Sequence, residues 1–316
     1  MQPLYRSEFS RIRVLDGALA TELERRGHDL GGPLWSAQVI EQDPASIVAV
    51  HLDYLRAGAD CITTSSYQVS AQGYAELGVE RPEQAAKRDL MRSVELAREA
   101  VSQYASESSR PIWIAASLGP YGAVLHNGAE FHGNYQISQQ HLVDFHRQRL
   151  AVIAESEADL VAFETIPSLA EAQAILAAMV DTPNLSAWIS FHCKDEGHLA
   201  HGESIIDAVR LLEPEVSVLA LGMNCVHPDL VGPLLAKIRE ESEEPVIVYP
   251  NSGETWDSST RSWLGSADRD QADMDLEVKN YGAWAGQWFK AGAQAVGGCC
   301  RTRPEHIRAV TAAVRQ

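Results

Sequence analysis

The fold of this chain is constrained most by a regular alternation of short apolar runs with longer amphipathic stretches. The runs are apolar or β-branched and end at Gly, Pro or polar residues, which is typical of buried strands. Apolar residues at helical spacing, often behind a Ser, Asp or Thr cap, indicate helices between the runs. Eight strands are predicted, at residues 12–16, 61–65, 112–117, 160–164, 187–192, 218–224, 246–250 and 294–298. Eight helices are predicted, at residues 44–57, 83–104, 138–155, 168–179, 204–212, 228–240, 281–290 and 304–314.

Repeated strand–helix units are the signature of an α/β barrel, and we predict a single (β/α)8 TIM barrel domain over residues 1–316. The alternative is a doubly wound open sheet, which needs a glycine-rich phosphate loop after an early strand. Asp16-Gly17-Ala18 carries one glycine and does not favour that fold. Two connections, 119–136 and 251–280, are predicted as long loops after the third and seventh strands. Both would lie on the barrel face where active sites form.

Charge and cysteine content limit the class of partner and the compartment. The net charge is −17, from 26 basic and 43 acidic residues, which argues against binding to nucleic acid or a membrane surface. No apolar run approaches the roughly 20 residues that cross a bilayer, and the N-terminus lacks a secretion signal. Five cysteines are an odd and low number for a disulfide framework. We therefore expect a cytoplasmic protein whose clustered cysteines serve metal binding or catalysis.

Polar residues follow many of the predicted strands at the ends where a barrel carries its chemistry. A scaffold would have little need of such residues at the ends of apolar runs. In chain order these residues are Asp16, Thr63, Thr64, Ser117, Glu164, His192, Asn224, Cys225, Asn251, Cys299 and Cys300.

Three of these residues are cysteines that we predict to share one zinc ion. Cys225 follows strand six, and Cys299 and Cys300 follow strand eight, so their sulfurs can approach a common point. Three thiolates favour zinc and leave one position of its tetrahedral shell open, as in catalytic sites. Gly297 and Gly298 allow close approach of the backbone. Buried structural cysteines, or a strained disulfide between Cys299 and Cys300, are the alternatives.

Two carboxylates and one aromatic residue suggest the ligand. Glu164 and Asp16 end buried strands and need partners, either a barrel arginine or a cationic group of a ligand. Two carboxylates at a barrel mouth suit an amino-acid substrate. Trp35 follows the first strand, where its ring either holds a cationic sulfonium or ammonium group or packs a lid.

Five segments resemble the zinc-dependent homocysteine S-methyltransferase family over nearly the whole chain. The glycine and cysteine pairs at 297–300 are the most specific part of this resemblance. Residues 33–37 and 116–122 resemble the branch that uses S-methylmethionine. The five segments are Asp16-Gly17-Ala18, Gly32-Pro33-Leu34-Trp35-Ser36-Ala37, Phe163-Glu164-Thr165-Ile166-Pro167, Gly222-Met223-Asn224-Cys225 and Gly297-Gly298-Cys299-Cys300-Arg301-Thr302.

The resemblance implies one Zn2+ per chain on Cys225, Cys299 and Cys300, with the homocysteine thiol in the open position. Glu164 and Asp16 would hold the amino group, and backbone amides near Gly17 and Thr64 would hold the carboxylate. Asn224 and Trp35 complete the expected substrate-binding residues. The sulfonium methyl donor would be S-methylmethionine or S-adenosylmethionine, and methionine the product.

Thr165 stands where the betaine branch has a tyrosine, which puts betaine in doubt as donor. A betaine-dependent enzyme or a selenol methyltransferase remains an alternative. A zinc hydrolase would want His and Asp ligands, which the all-cysteine set does not offer, and a non-catalytic zinc or thiol-binding barrel is the third class. We expect a monomer or small homo-oligomer.

Overall fold

The computed structural model describes residues 4–32, 34–257, 262–264 and 271–315. Its central element is a curled parallel sheet of seven strands in the order β1-β2-β3-β4-β5-β6-β9. These strands are β1 Cys61–Thr63, β2 Trp113–Leu118, β3 Leu160–Ile166, β4 Ala187–Phe191, β5 Val218–Asn224, β6 Val246–Tyr249 and β9 Ala295–Val296. Strands β7 Thr255–Asp257 and β8 Ser262–Leu264 form a separate antiparallel hairpin.

Helices connect the strands and cover the outer face of the sheet. The longer ones are α4 Pro44–Ala57, α6 Pro82–Tyr104, α8 Gln139–Ile153, α9 Leu169–Met179, α10 Ile205–Leu212, α11 Pro228–Glu241, α12 Gln271–Lys290 and α13 Pro304–Val314. The shorter ones are α1 Arg6–Phe9, α2 Leu19–Arg25, α3 Val39–Gln42, α5 Ala71–Glu76 and α7 Tyr121–Val124, with 3-10 turns at Trp35–Gln38 and Ala129–Phe131.

Capping residues explain why several helices begin where the sequence predicts. Asp43 accepts a hydrogen bond from the Ser46 amide at the start of α4, and Pro44 occupies the first turn. Ser138, Ser168 and Ser204 cap α8, α9 and α10 in the same way. The predicted bounds of α4, α13 and β5 are confirmed at both ends.

Successive side chains of a strand point to opposite faces of the sheet, and this produces two apolar clusters. Val161 and Phe163 pack outward against the helices, whereas Leu160 and Ala162 point into the interior of the curled sheet. Phe9 of α1 joins the interior cluster, with its ring centroid 6.5 Å from that of Trp188. Residues that follow the strands are therefore the ones that can meet around an opening at the carboxyl edge.

The predicted first strand, 12–16, is not a strand but a pair of isolated bridges. Val14 pairs with Val296 of β9, and Leu15 pairs with Cys61 of β1, both in parallel. The segment thus touches both edges of the seven-stranded sheet. A physical reason for its shortness is that the Asp60 carboxylate accepts the amides of Arg13 and Val14, so these two amides do not bond to a neighbouring strand.

The two predicted long loops contain secondary structure. Residues 119–136 include α7 and the 3-10 turn Ala129–Phe131. Residues 251–280 include the β7–β8 hairpin and the first half of α12, which starts at Gln271 rather than Tyr281. The first turns of α12 are polar and acidic, so they lack the apolar spacing from which a helix is recognised. Among the described residues, no helix is both long and apolar enough to cross a bilayer.

Candidate active site

A cavity of about 580 Å³ opens at the carboxyl edge of the sheet. It brings together every site residue that the sequence analysis predicts. These residues are Asp16, Gly17, Trp35, Thr64, Glu164, Asn224, Cys225, Cys299 and Cys300.

The sulfurs of Cys225, Cys299 and Cys300 lie within 4.8 Å of one another. The Sγ atoms of Cys225 and Cys300 are 3.7 Å apart, and all the cysteines are free thiols, so the alternative of a disulfide is not found. A tetrahedral zinc with Zn–S bonds of about 2.3 Å separates its sulfurs by about 3.8 Å. The spacing and the soft donor set therefore fit a zinc ion with three protein ligands.

Local backbone conformation brings the sulfurs together. Cys225 has a positive φ of 55°, an unusual conformation that turns the chain sharply at the end of β5. On the other side, a Cβ on Gly298 would lie 2.3 Å from Thr302 Oγ1, so only glycine fits there. The Cys299 amide then donates to Pro250 O at 2.8 Å, and Thr302 Oγ1 donates to Cys299 O at 2.7 Å.

Asn224 supports the cysteine cluster from below. Its Oδ1 accepts hydrogen bonds from the Thr165 amide and from Ser190 Oγ, both at 2.8 Å. Its Nδ2 donates to Thr165 Oγ1 at 2.9 Å and to Cys299 Sγ at 3.8 Å. The pKa of the Cys299 thiol is held well below its usual value by hydrogen bonds from Cys225, from Cys300 and then from Asn224. Asn224 therefore contacts the cysteine cluster directly and is not only part of the cavity wall.

Glu164 and Asp16 are buried carboxyl groups whose recorded partners are hydroxyl groups and a backbone amide, not arginines. Ser117 Oγ and the Tyr249 hydroxyl bond to Glu164, and burial raises the pKa of Glu164 to about 8. Thr63 donates its amide to Asp16 Oδ2 at 2.7 Å, and burial raises the pKa of Asp16 to about 7. No described arginine forms a salt bridge with either group, so a ligand cation can complete both sites.

The prediction that amides near Gly17 and Thr64 bind a carboxylate is narrowed at one position, the Thr64 amide itself. The Thr64 amide donates to Ala115 O at 3.0 Å because it continues the β1–β2 ladder, so it is not free for a ligand. The next residue, Ser65, has a buried hydroxyl without a partner among the described residues. A Cβ on Gly17 would lie 2.8 Å from Tyr54 Cε1, which explains why glycine stands there.

Trp35 forms an aromatic corner with Tyr67, with ring centroids 5.9 Å apart at 67°. Both rings line the cavity, and the Tyr67 hydroxyl bonds to the Thr165 side chain. Sequence reasoning named Trp35 but missed Tyr67. Position alone could have suggested it, because Tyr67 lies just beyond the polar end of β1.

His192 and Glu130 also line the cavity without having been assigned roles from the sequence. Burial lowers the pKa of His192 to about 4, and its ring packs on Phe131 with centroids 5.2 Å apart. Glu130 lies in the segment after β2, where no periodic pattern indicates which side chains turn inward. Cys61 packs in the interior apolar cluster, and Cys193 is buried outside the three-sulfur group.

The chain is similar to known proteins over most of its length. A family model described as homocysteine S-methyltransferase matches residues 13–314. The chain is 43% identical over 308 residues to homocysteine S-methyltransferase YbgG of Bacillus subtilis (strain 168), with 96% of this chain and 94% of that protein covered. It is 41% identical over 313 residues to a selenocysteine Se-methyltransferase of Brassica oleracea var. italica, with 94% and 87% covered.

A solved structure shares the architecture. The homocysteine methyltransferase MmuM from Escherichia coli, in its metallated form, superimposes with a TM-score of 0.84 at 38% identity. The match covers 95% of this chain and 96% of that chain. Similarity of this extent fixes the fold and the family of the chain.

Proposed function

The chain belongs to the homocysteine S-methyltransferase family, and we propose that it moves a methyl group from a sulfonium donor to homocysteine held at a zinc site. Family membership makes it a methyltransferase that acts on homocysteine. The proposal concerns which metal is bound, which methyl donor is used and which residues bind the metal and the substrates. One observation carries it: three clustered thiols and two buried carboxyl groups, which have no arginine partner among the described residues, line the same cavity.

We assign one zinc ion per chain to Cys225, Cys299 and Cys300, whose spacing and chemistry fit it. When bound, the ion supplies one effect: it lowers the pKa of a substrate thiol in its open position, so that the thiol is ionised near neutral pH. The protein supports this with the Asn224 amide at Cys299.

The protein's own residues hold the amino-acid end of homocysteine. Glu164 and Asp16 accept hydrogen bonds from the ammonium group, whose charge offsets the cost of their burial. The Gly17 amide and the Ser65 hydroxyl bind the carboxylate, and Thr64 contributes to the wall beside them. Fixing one end of the substrate in this way orients its sulfur toward the cysteines.

The transfer is an in-line displacement. A bond forms between the homocysteine sulfur and the methyl carbon while the bond from that carbon to the donor sulfur breaks. The electron pair stays on the donor sulfur, which leaves as a neutral thioether, so no general acid is needed. The enzyme contributes ionisation and alignment.

S-methylmethionine is the favoured donor, with S-adenosylmethionine as a second. The Trp35–Tyr67 corner offers two aromatic faces and edges near the cysteines, and such rings attract a cationic sulfonium. Thr165, in place of the tyrosine of the betaine branch, makes betaine less favoured. Thr165 has a φ of 60° and hydrogen-bonds to Asn224, the residue that contacts the cysteine cluster.

Three further expectations also remain proposals: the closed barrel, the cellular location and the oligomeric state. The bridges at Val14 and Leu15 support a closed (β/α)8 barrel formed as a single domain over 1–316. A cytoplasmic location and a monomer or small homo-oligomer stay predictions.

Methyl transfer to homocysteine from S-methylmethionine, S-adenosylmethionine and betaine, each with and without a chelator, tests the function. We expect methionine from the first donor at the highest rate, and loss of activity with the chelator. Full activity in metal-free protein would refute the zinc assignment, and transfer from betaine alone would refute the donor assignment.

Selenocysteine is a second acceptor worth testing. The similarity to a selenocysteine Se-methyltransferase favours it, and a selenolate carries the same charge as the thiolate that the proposed reaction uses. The same assay with selenocysteine in place of homocysteine measures the preference.

A further inference from the structure

Glu130 is a carboxyl group in the cavity that the reaction outlined above does not use. It belongs to the 3-10 turn Ala129–Phe131 in the segment after β2. Its Oε2 atom is buried and has no hydrogen-bond partner among the described residues. A buried acceptor left unpaired costs free energy, so its retention beside a substrate cavity calls for a ligand group that completes it.

Charge around Glu130 strengthens this argument. Burial raises the pKa of Glu130, and a hydrogen bond from its own backbone amide opposes this shift. Within the described parts of the chain, no Lys, Arg or His forms a salt bridge with it. A cation supplied by a ligand would both pair the charge and satisfy the oxygen.

The turn that carries Glu130 is firmly built. Asn127 Oδ1 accepts the Ala129 amide at 3.0 Å, and the Gly133 amide donates to Ala129 O at 2.8 Å. A Cβ on Gly122 would lie 2.4 Å from the Glu130 nitrogen, so α7 and the turn pack backbone to backbone. The backbone that carries Glu130 is therefore held in place and does not belong to a loose loop.

Glu130 lies in the same cavity as the Trp35–Tyr67 corner and acts on Tyr67. Its charge raises the pKa of Tyr67, second only to burial, and the charges of Cys225 and Glu164 act on Tyr67 more weakly. Glu130 and Tyr67 therefore lie close to one another in the cavity wall. Asp16 and Glu164 are already assigned to the ammonium group of homocysteine, so an ammonium group at Glu130 would belong to the donor. Glu130 thus offers a carboxyl group beside the Trp35–Tyr67 corner, where the sulfonium of the donor is placed.

We propose that Glu130 binds the α-ammonium group of the methyl donor, so that the site selects sulfonium donors that are themselves α-amino acids. The inference rests on the proposed function, because it adds a second contact to a donor whose sulfonium lies at the aromatic corner. An ammonium group supplies the N–H donors and the positive charge that Oε2 lacks. Betaine carries no N–H and cannot meet this requirement.

The test compares two donors in three proteins. One donor is S-methylmethionine, and the other is its des-amino analogue, which keeps the sulfonium and the carboxylate. The proteins are the wild type, Glu130→Gln and Glu130→Ala. The matched control is Glu24→Gln, which removes the same charge from an exposed carboxylate in the wall of the same cavity. KM and kcat are measured for each donor, and KM for homocysteine.

We expect both Glu130 variants to raise the KM for S-methylmethionine about tenfold to a hundredfold, the effect of losing one charge-assisted hydrogen bond. Their kcat, their KM for homocysteine and their rates with the des-amino analogue should stay near wild-type values, which also shows that they are folded. Both variants should lose most of the wild-type preference for S-methylmethionine over its des-amino analogue. Glu24→Gln should preserve it.

Three results would overturn the proposal. An unchanged KM for S-methylmethionine in both Glu130 variants would show that Glu130 does not bind the ammonium group of the donor. A raised KM for homocysteine instead assigns Glu130 to the acceptor. Absence of methyl transfer from every sulfonium donor in the wild type refutes the proposed function itself, and the assignment of Glu130 fails with it.

Discussion

The side-chain amide of Asn224 donates a hydrogen bond to the Sγ atom of Cys299 across 3.8 Å. Asn224 cannot rotate freely, because Oδ1 accepts the Thr165 amide and Ser190 Oγ. Hydrogen bonds to metal ligands orient them and stabilise their ionised form, and their loss typically costs about 10- to 100-fold in metal affinity. The contact therefore links the end of β5 to the chemistry of the cysteine cluster.

Replacing Asn224 by Ala should weaken zinc binding by about 10- to 100-fold, as measured by competition with a chromophoric chelator. Asn224→Asp is the informative second variant, since it keeps the acceptor for Thr165 and Ser190 but cannot donate to sulfur. It should lose affinity as well. Wild-type affinity in both variants would show that the amide does not support the ligand.

Binding of methionine should strengthen as the pH rises from about 6 to about 8. The pKa values of Asp16 and Glu164 are raised to about 7 and about 8, so both groups are largely protonated at the lower pH. An ammonium group binds the ionised carboxylates, and proton release therefore accompanies binding. Methionine is used because its thioether does not titrate. Calorimetry measures the affinity, and Glu164→Gln should flatten the upper part of this dependence; equal slopes in both proteins would contradict the assignment.

Much of this fold could be predicted because local signals and tertiary packing agree. The β5 run from Val218 to Asn224 is apolar, and α4 has a cap, a first-turn proline and a terminal glycine with φ of 115°. The segment 12–16 was misjudged because the Asp60 side chain, distant in sequence, takes two of its amides. The start of α12 was missed because its first turns are polar.

The residues of the candidate site also fall into those that the sequence predicts and those that it does not. Asp16, Glu164 and the three cysteines directly end or follow apolar runs, so strand counting predicts that they meet at one edge of the sheet. Tyr67 and Glu130 reach the cavity from irregular segments, where side-chain direction depends on turns and not on a period. The occupied amide of Thr64 could not be known either, because it depends on how far the β1–β2 ladder continues.

Replacing Gly298 by Ala should destabilise the protein by about 1–3 kcal/mol and weaken zinc binding. The new Cβ would lie 2.3 Å from Thr302 Oγ1, which holds the carbonyl of Cys299. Urea unfolding and zinc titration measure the two effects. Gly232→Ala, in α11 with open space around it, is the control and should stabilise by about 0.5–1 kcal/mol. Equal stability of the two variants would argue against the close approach at Gly298.

Glu171→Gln should cost about 2–4 kcal/mol of stability and loosen the segment that carries Glu130. The buried Glu171 carboxylate accepts the Tyr121 amide at 2.6 Å, the Tyr135 hydroxyl at 2.8 Å and His146 Nε2 at 3.1 Å. It is also a counter-charge to the buried Arg149. Urea unfolding measures the cost, and hydrogen exchange at 121–135 should rise.

The exposed Glu243 provides the control for that charge change, since Glu243→Gln should alter stability by less than about 0.5 kcal/mol. If both substitutions had the same small effect, the network around Glu171 would not be what holds the segment.

X-ray absorption at the zinc edge, recorded with and without homocysteine, tests the central claim most directly. The account predicts zinc with three sulfur ligands at about 2.3 Å in the protein alone and four after homocysteine is added. It also predicts that Cys225→Ala, Cys299→Ala and Cys300→Ala each lose the ion. A sulfur number that does not change on adding homocysteine, in protein that still methylates it, would contradict the account.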